Sequence, residues 1–275
     1  MDEVVRARLE RQLPRTLEKL EGREPVHFLV VGDGTTRGFH YGETRNQLLH
    51  AFPGVFAREL AKEFFYTGGV KDLAPEPGAP AKLDPSLGPV ITIERRAVAD
   101  ADIFYGFVPL TTDGFDRKPD LVVLHFGAGA TRQFLAPADF VAALSAQVEL
   151  VKAAGSDVIL VGPVAAPDGS NGLESVAVSR VYAGLMRDVA QRQGVYFGDA
   201  GKLLVDALAK PGVVAEGELE ASFLAALGRY FDHGPDIRDK RHLNPVAHEV
   251  LGERLAGDLL RREPVNEFEV SGSAA

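Results

Sequence analysis

The sequence contains no cysteine and no tryptophan. Without cysteine, disulfide bonds, thiolate chemistry and cysteine-ligated zinc sites are excluded. No apolar run approaches the roughly 20 residues that a membrane-spanning helix requires. Basic residues are also few, since 30 Lys and Arg stand against 39 Asp and Glu and give a net charge of −9. We therefore expect a cytoplasmic protein with no membrane span and no nucleic-acid partner, because nucleic acid requires a basic surface.

Three short apolar runs are the strongest structural signals in the chain. They cover residues 26–31, 120–126 and 157–163, and each is almost continuously apolar rather than alternating. This pattern is typical of strands buried on both faces of a parallel sheet. Weaker strand candidates lie at residues 89–93 and 194–197.

Helical patterns separate these runs, at residues 44–65, 137–154, 174–193 and 244–262. Strands that alternate with helices of this length predict βαβ units and one parallel sheet. We expect a three-layer α/β/α sandwich of the flavodoxin-like type with about five strands. Pro53 predicts a kink or two short helices within 44–65.

The domain organisation predicted from these patterns is simple. An accessory helix occupies residues 1–24, a single α/β domain residues 25–262, and a flexible tail residues 263–275. Within the domain, the Pro- and Gly-containing segments 66–88 and 211–236 are predicted to be excursions or loops over the surface, the second with a helix candidate near 216–231.

Glycine follows the first strand in the motif Gly32-Asp33-Gly34-Thr35-Thr36. Glycines after a strand allow a sharp turn and bring backbone N–H groups to the carboxyl edge of a sheet, where ligands bind in open α/β folds. The spacing matches no phosphate-binding loop, so taken alone the motif indicates only a turn.

A second motif, Asp239-Lys-Arg-His242-Leu-Asn244-Pro245, precedes the last helix. Asn244 can cap that helix and Pro245 suits its first turn. His242 then lies on the preceding loop with Asp239 three residues upstream. An Asp that orients an imidazole and stabilises its protonated form is the arrangement required of a general base.

Together the two motifs resemble the first and last sequence blocks of the SGNH/GDSL hydrolases. The run 121–130, with Gly127 and Gly129 after its strand, is similar to the strand of that family that ends in Gly-x-Asn-Asp. The resemblance extends over residues 25–262. It implies the same α/β fold and a cleft at the carboxyl edge of the sheet.

Carried over residue by residue, the resemblance implies an incomplete catalytic site. The nucleophilic serine of the family is replaced by Gly34, its oxyanion asparagine by Gly129, and its oxyanion glycine most closely by Asp100. Only His242 and its partner Asp239 keep their identities. A glycine provides no nucleophile, and a carboxylate opposes a developing oxyanion. The residues we expect to line the cleft are Asp33, Gly34, Thr35, Asp100, Gly127 and Gly129.

Two functions therefore stay open. In the first, the protein has lost serine-esterase chemistry and binds a small molecule, a carbohydrate or a protein partner in the cleft. In the second, it is an active hydrolase in which His242 and Asp239 activate water, with or without a divalent metal ion near Asp100. No spacing demands a metal or another cofactor, and Thr35 and Thr36 are not expected to replace the serine. The remaining histidines, including His125 and His248, are expected to be structural, with His248 at the surface or a polar edge.

Overall fold

One parallel sheet of six strands organises the protein in the computed structural model, which describes residues 3–38, 48–73, 88–98, 101–126, 135–164, 172–208, 230 and 243–260. The strand order is β2-β3-β1-β4-β5-β6, and each neighbouring pair is parallel. The predicted fold class is confirmed. The strands are β1 (Val26–Gly32), β2 (Val70–Asp72), β3 (Ile91–Ala97), β4 (Leu121–His125), β5 (Asp157–Val161) and β6 (Tyr196–Gly198).

Strand β2 was not predicted from the sequence. The sheet has six strands, close to the predicted number of about five, and the segment 66–88, expected to be an excursion or loop, contains the residues Val70–Asp72 that pair with β3. The strand escaped detection because it is only three residues long and half-buried at the sheet edge, so no apolar run marks it. Residues 74–87, and the segment 211–236 apart from Tyr230, lie outside the described residues.

Helices connect the strands as the apolar periodicity predicts. Pro53 lies in the first turn of a helix instead of kinking one, since a 3₁₀ turn (Leu48–His50) ends before that helix begins. A second 3₁₀ turn spans Ile103–Gly106. The helices are α1 (Glu3–Gln12), α2 (Pro14–Gly22), α3 (Gly34–Arg37), α4 (Phe52–Glu63), α5 (Phe107–Thr111), α6 (Pro137–Ala153), α7 (Gly172–Gln193), α8 (Ala200–Leu208) and α9 (Pro245–Leu260).

The helices cover both faces of the sheet and create two apolar cores. Helices α1, α2, α4, α8 and α9 pack on one face, against side chains such as Phe28, Val30 and Val123. The 3₁₀ turn 103–106 and helices α5, α6 and α7 pack on the other, against Leu29 and Val122. Because both faces are covered, the strands contain few polar residues. None of the described helices is long and apolar enough to cross a lipid bilayer.

The amino-terminal segment, predicted as one accessory helix, is a pair of helices that is anchored at the amino edge of the sheet. Asp120, directly before β4 and only 1% exposed, accepts a hydrogen bond from Arg15 Nε and forms an ion pair with Lys19 Nζ, each at 2.8 Å. The same carboxylate accepts from the His27 backbone N–H at 2.9 Å. A buried carboxylate needs such partners to offset its lost hydration. Asp120 thus ties α2 to the start of both central strands.

Replacement of Asp120 by Ala should therefore strongly destabilise the folded protein. Removal of one partner from a buried charged cluster leaves the others unpaired, and we expect the free energy of unfolding to fall by about 3 kcal/mol. Urea denaturation measures the change. A control, Glu10→Gln, removes an ion pair with Arg6 whose two side chains are both 50% exposed, and should leave the free energy of unfolding close to that of the wild type. Equal losses in the two variants would show that Asp120 does not anchor the helices.

Candidate functional site

The carboxyl end of β1 carries the first sequence motif. Asp33 has extended backbone geometry and caps the single-turn helix α3, with its Oδ1 accepting from the Thr35 backbone N–H at 3.0 Å. Gly34 is the first residue of that helix. The turn closes at Gly38, whose φ of 72° lies in the left-handed region that suits glycine. Residue 34 thus lies at the carboxyl edge of the sheet, where the resemblance implies the nucleophile position.

Both threonines that follow Gly34 are buried. Thr35 is 4% exposed, and Thr36 is fully buried. The Thr36 hydroxyl lies 2.7 Å from Nδ1 of His125, the last residue of β4. This contact is directed into the protein interior, so the hydroxyl orders the turn rather than facing a ligand.

His125 is a member of this site that sequence reasoning missed. Its ring is fully buried, its Nδ1 lies 3.7 Å from Asp33 Oδ1, and it meets the Phe52 ring edge-on at 5.2 Å. In the sequence His125 interrupts an apolar strand, and that interruption is the only signal of a polar contact. The pairing of His125 with Gly32 brings the ring beside the turn, and such a register is not visible in the sequence.

The electrostatic environment of His125 favours a neutral ring. Burial lowers the pKa of His125, while the Asp33 carboxylate and the Gly162 backbone oppose that shift. The unfolded chain binds a proton at His125 more readily than the folded chain does. This residue therefore makes the free energy of unfolding fall as the pH drops below about 6.5.

Gly32 makes the close approach of β1, β4 and α3 possible. A Cβ at this residue would lie 2.3 Å from Thr36 Oγ1 and 2.5 Å from the His125 backbone oxygen. Both distances are far inside van der Waals contact, and the second obstacle is backbone that cannot rotate away. The first glycine of the motif is thus required by packing.

The second motif leads into α9 as predicted for its cap. Asn244 Oδ1 accepts from the Ala247 backbone N–H at 2.9 Å, and the helix begins at Pro245. His248 was expected at the surface or a polar edge, but it is 1% exposed and stacks on Phe52 with ring centroids 6.4 Å apart. Its Nδ1 accepts from the Phe52 backbone N–H at 3.2 Å. The expectation was wrong because α9 turns this residue toward α4.

Five of the residues predicted for the cleft lie outside the described residues: Asp100, Gly127, Gly129, Asp239 and His242. The structure brings Asp33, Gly34 and Thr35 together at one turn. Among the described residues, no group of three or more His, Cys, Asp or Glu side chains could hold a metal ion.

Comparison with known proteins identifies the fold. No family model and no curated protein matches the chain, but solved structures of esterases do. Axe2, an acetylxylan esterase from Geobacillus stearothermophilus, is 16% identical with a TM-score of 0.55, over 87% of this chain and 96% of its own. LAE5, an α/β hydrolase enzyme from the metagenome of Lake Arreo, is 18% identical with a TM-score of 0.54, over 87% and 98%.

A third structure carries the family name. It is a protein from Desulfitobacterium hafniense DCB-2 described as a lipolytic protein of the G-D-S-L family, 13% identical with a TM-score of 0.52, over 84% of this chain and 98% of its own. The chain thus has the fold of SGNH/GDSL esterases, as the resemblance implied. At these identities the likeness establishes the fold and leaves the chemistry to the residues.

Replacement of Gly32 by Ala tests whether α3 and the end of β4 are packed against this residue. The added methyl group would force β4 or α3 to shift, and we expect a loss of about 3 kcal/mol in the free energy of unfolding. The matched control is Gly184→Ala within α7, where a Cβ would meet nothing within 4 Å. There helix propensity predicts a gain of about 0.5–1 kcal/mol. A neutral Gly32→Ala would mean that Thr36 and His125 are not held against this glycine.

Proposed function

We propose that this protein is a member of the SGNH/GDSL hydrolase superfamily that has lost serine-esterase chemistry and binds a small molecule or carbohydrate in its cleft. The observation that carries the proposal is Gly34 at the start of α3. The residue at the nucleophile position has no side chain that could form an acyl-enzyme intermediate.

Neither neighbouring threonine offers a replacement nucleophile. The Thr35 backbone is held by the Asp33 cap, and the Thr36 hydroxyl is occupied by His125 in the interior. A nucleophile must reach the substrate carbonyl at about 3–3.5 Å, and a fully buried hydroxyl does not. These contacts support a binding role over a relocated nucleophile.

Carbohydrate is the ligand class favoured by the fold. Axe2 and AlAXEase, a further similar structure, are both acetylxylan esterases. We therefore choose acetylated xylooligosaccharides as the first probe, since an esterase fold without a nucleophile can retain affinity for the ester that it no longer cleaves.

A second candidate function is hydrolysis by water. Its support is the fold shared with esterases together with the capped helix start at Asn244, directly after the sequence motif that contains Asp239 and His242. In this mechanism His242 is the general base, Asp239 orients it, and no covalent intermediate forms. A divalent ion near Asp100 would be an addition to that mechanism.

An ester panel separates the two functions. With p-nitrophenyl acetate and acetylated xylooligosaccharide we expect no hydrolysis above the uncatalysed rate, and no gain of more than about tenfold in Gly34→Ser, because the oxyanion positions have also changed. Turnover in the wild type that disappears in His242→Ala would overturn the binding role and favour the water mechanism.

Binding is tested by isothermal titration calorimetry with the same oligosaccharide. We expect saturable binding to the wild type, and affinity at least about tenfold weaker in Gly34→Leu, because the larger side chain would occupy the cleft floor. Gly184→Ala is the control and should bind as the wild type does. Affinity that is unchanged in Gly34→Leu would exclude this turn as the binding site.

A further inference from the structure

Two buried polar atoms beside the Gly34 turn have no hydrogen-bond partner in the described part of the chain. They are Asp33 Oδ2 and His125 Nε2, on side chains of which at least nine-tenths is buried. An unpartnered buried polar group lowers the stability of the fold, because its lost hydration is not replaced. Unpaired groups of this kind call for an explanation beyond packing.

The direction of the Thr36–His125 hydrogen bond follows from a comparison of the polar groups that each direction leaves unpaired. If the Thr36 hydroxyl donates to Nδ1, the hydroxyl proton and the Nδ1 lone pair are both used, and only the Nε2 proton stays unpaired. The opposite direction leaves the hydroxyl proton and the Nε2 lone pair unpaired, since within the described ranges Thr36 Oγ1 contacts only His125. The first arrangement leaves fewer polar groups unpaired and is therefore favoured. The neutral ring accepts from Thr36 and carries its proton on Nε2.

Protonation of the ring changes which partner Nδ1 prefers. Both ring nitrogens are then donors, so Nδ1 can donate either to the Thr36 hydroxyl oxygen or to a carboxylate, and the charged carboxylate is the stronger acceptor. The nearest carboxylate is Asp33, with Oδ1 3.7 Å from Nδ1 and with Oδ2 unpartnered. A movement of about 1 Å brings Nδ1 and this carboxylate to the 2.7–2.9 Å of a charge-assisted hydrogen bond.

That movement would affect the turn at Gly34, because the same Asp33 carboxylate also caps helix α3. Its Oδ1 holds the Thr35 backbone N–H, and α3 is only four residues long. Besides this cap, the turn is held by the Arg37 N–H bond to the Asp33 carbonyl and by the Gly38 N–H bonds to the Gly34 and Thr35 carbonyls, so the cap is a substantial share of the bonds that order a single turn. A carboxylate drawn toward His125 therefore loosens the segment that carries Gly34.

We propose that Asp33, Thr36 and His125 form a proton-operated switch, in which protonation replaces the Thr36–His125 hydrogen bond by an Asp33–His125 ion pair and releases the cap over Gly34. The switch depends only on these contacts and does not require that the cleft binds a ligand. In the neutral state the turn is rigid, and in the protonated state it is loosened.

The other groups around the ring set the conditions for this switch. Gly162, after β5, contributes only backbone, and Phe52 of α4 covers the ring edge-on. Behind Phe52 lies His248 of α9, which accepts from the Phe52 backbone N–H through Nδ1. Among these groups, Asp33 carries the one carboxyl group, with Oδ1 3.7 Å from Nδ1. It is therefore the counter-ion that the switch uses.

Nuclear magnetic resonance of the full chain tests the proposal. Long-range ¹H–¹⁵N spectra should show a neutral His125 with its proton on Nε2 at pH 7.5. On acidification below the ordinary histidine range, the ring should take up a proton, and the hydrogen-exchange protection factor of the Thr35 amide should fall at least about tenfold. The Tyr105 amide is an internal control, because Asp102 caps it at 3.1 Å and no histidine contact accompanies that cap in the described residues. Its protection should stay constant.

Two variants distinguish the switch from simple burial. Asp33→Asn removes the counter-ion, so the midpoint of His125 protonation should move to lower pH. Thr36→Val removes the hydrogen bond to the neutral ring, so the midpoint should move to higher pH. Asp102→Asn is the control and should leave this midpoint unchanged.

Three outcomes would exclude the switch. His125 stays neutral until the protein unfolds, its neutral form carries the proton on Nδ1, or the Thr35 and Tyr105 amides lose protection in parallel. The comparison of these two amides in the wild type holds even if a variant fails to fold.

Discussion

The complete burial of strand β1 is the constraint on which the candidate site depends. The strand lies between β3 and β4 and is covered by helices on both faces. Its polar backbone groups are therefore satisfied by the two ladders, and the chain can turn only beyond the last pairing residue. At that point Gly32 allows Thr36 to return against the end of β4. The way the chain leaves β1 at Gly32 determines the Asp33 cap, the Gly34 turn and the contact between Thr36 and His125.

The same edge of the sheet combines two capped helix starts. One follows the central strand directly, and the final helix begins after the capping residue Asn244. Residue 34, at the first of these turns, is glycine and has no nucleophilic side chain. A hydroxyl–imidazole pair does occur close by, but Thr36 and His125 form it in the interior. Catalysis would require such a pair to face a substrate.

Sequence patterns predicted the regular elements well where burial was uniform. The runs at 26–31, 120–126 and 157–163 became central strands, because a strand buried on both faces has to be apolar along its whole length. Pro137 and Asn244 marked helix starts since their roles are local. Strand β2 was missed because three half-buried edge residues produce no periodic signal. His248 was misplaced since its burial depends on how α9 packs on α4.

The sequence by itself determined the layer order and the absence of a nucleophilic side chain at residue 34, because these depend on local periodicity and on the identity of a single residue. Only the tertiary structure decided that His125 belongs to the site. The pairing of Gly32 with His125 joins residues 93 positions apart, and a register of that range is fixed by packing over the whole sheet. The unpaired oxygen of Asp33 and the direction of the Thr36 hydroxyl have the same origin. They exist only where β1, β4 and α3 meet.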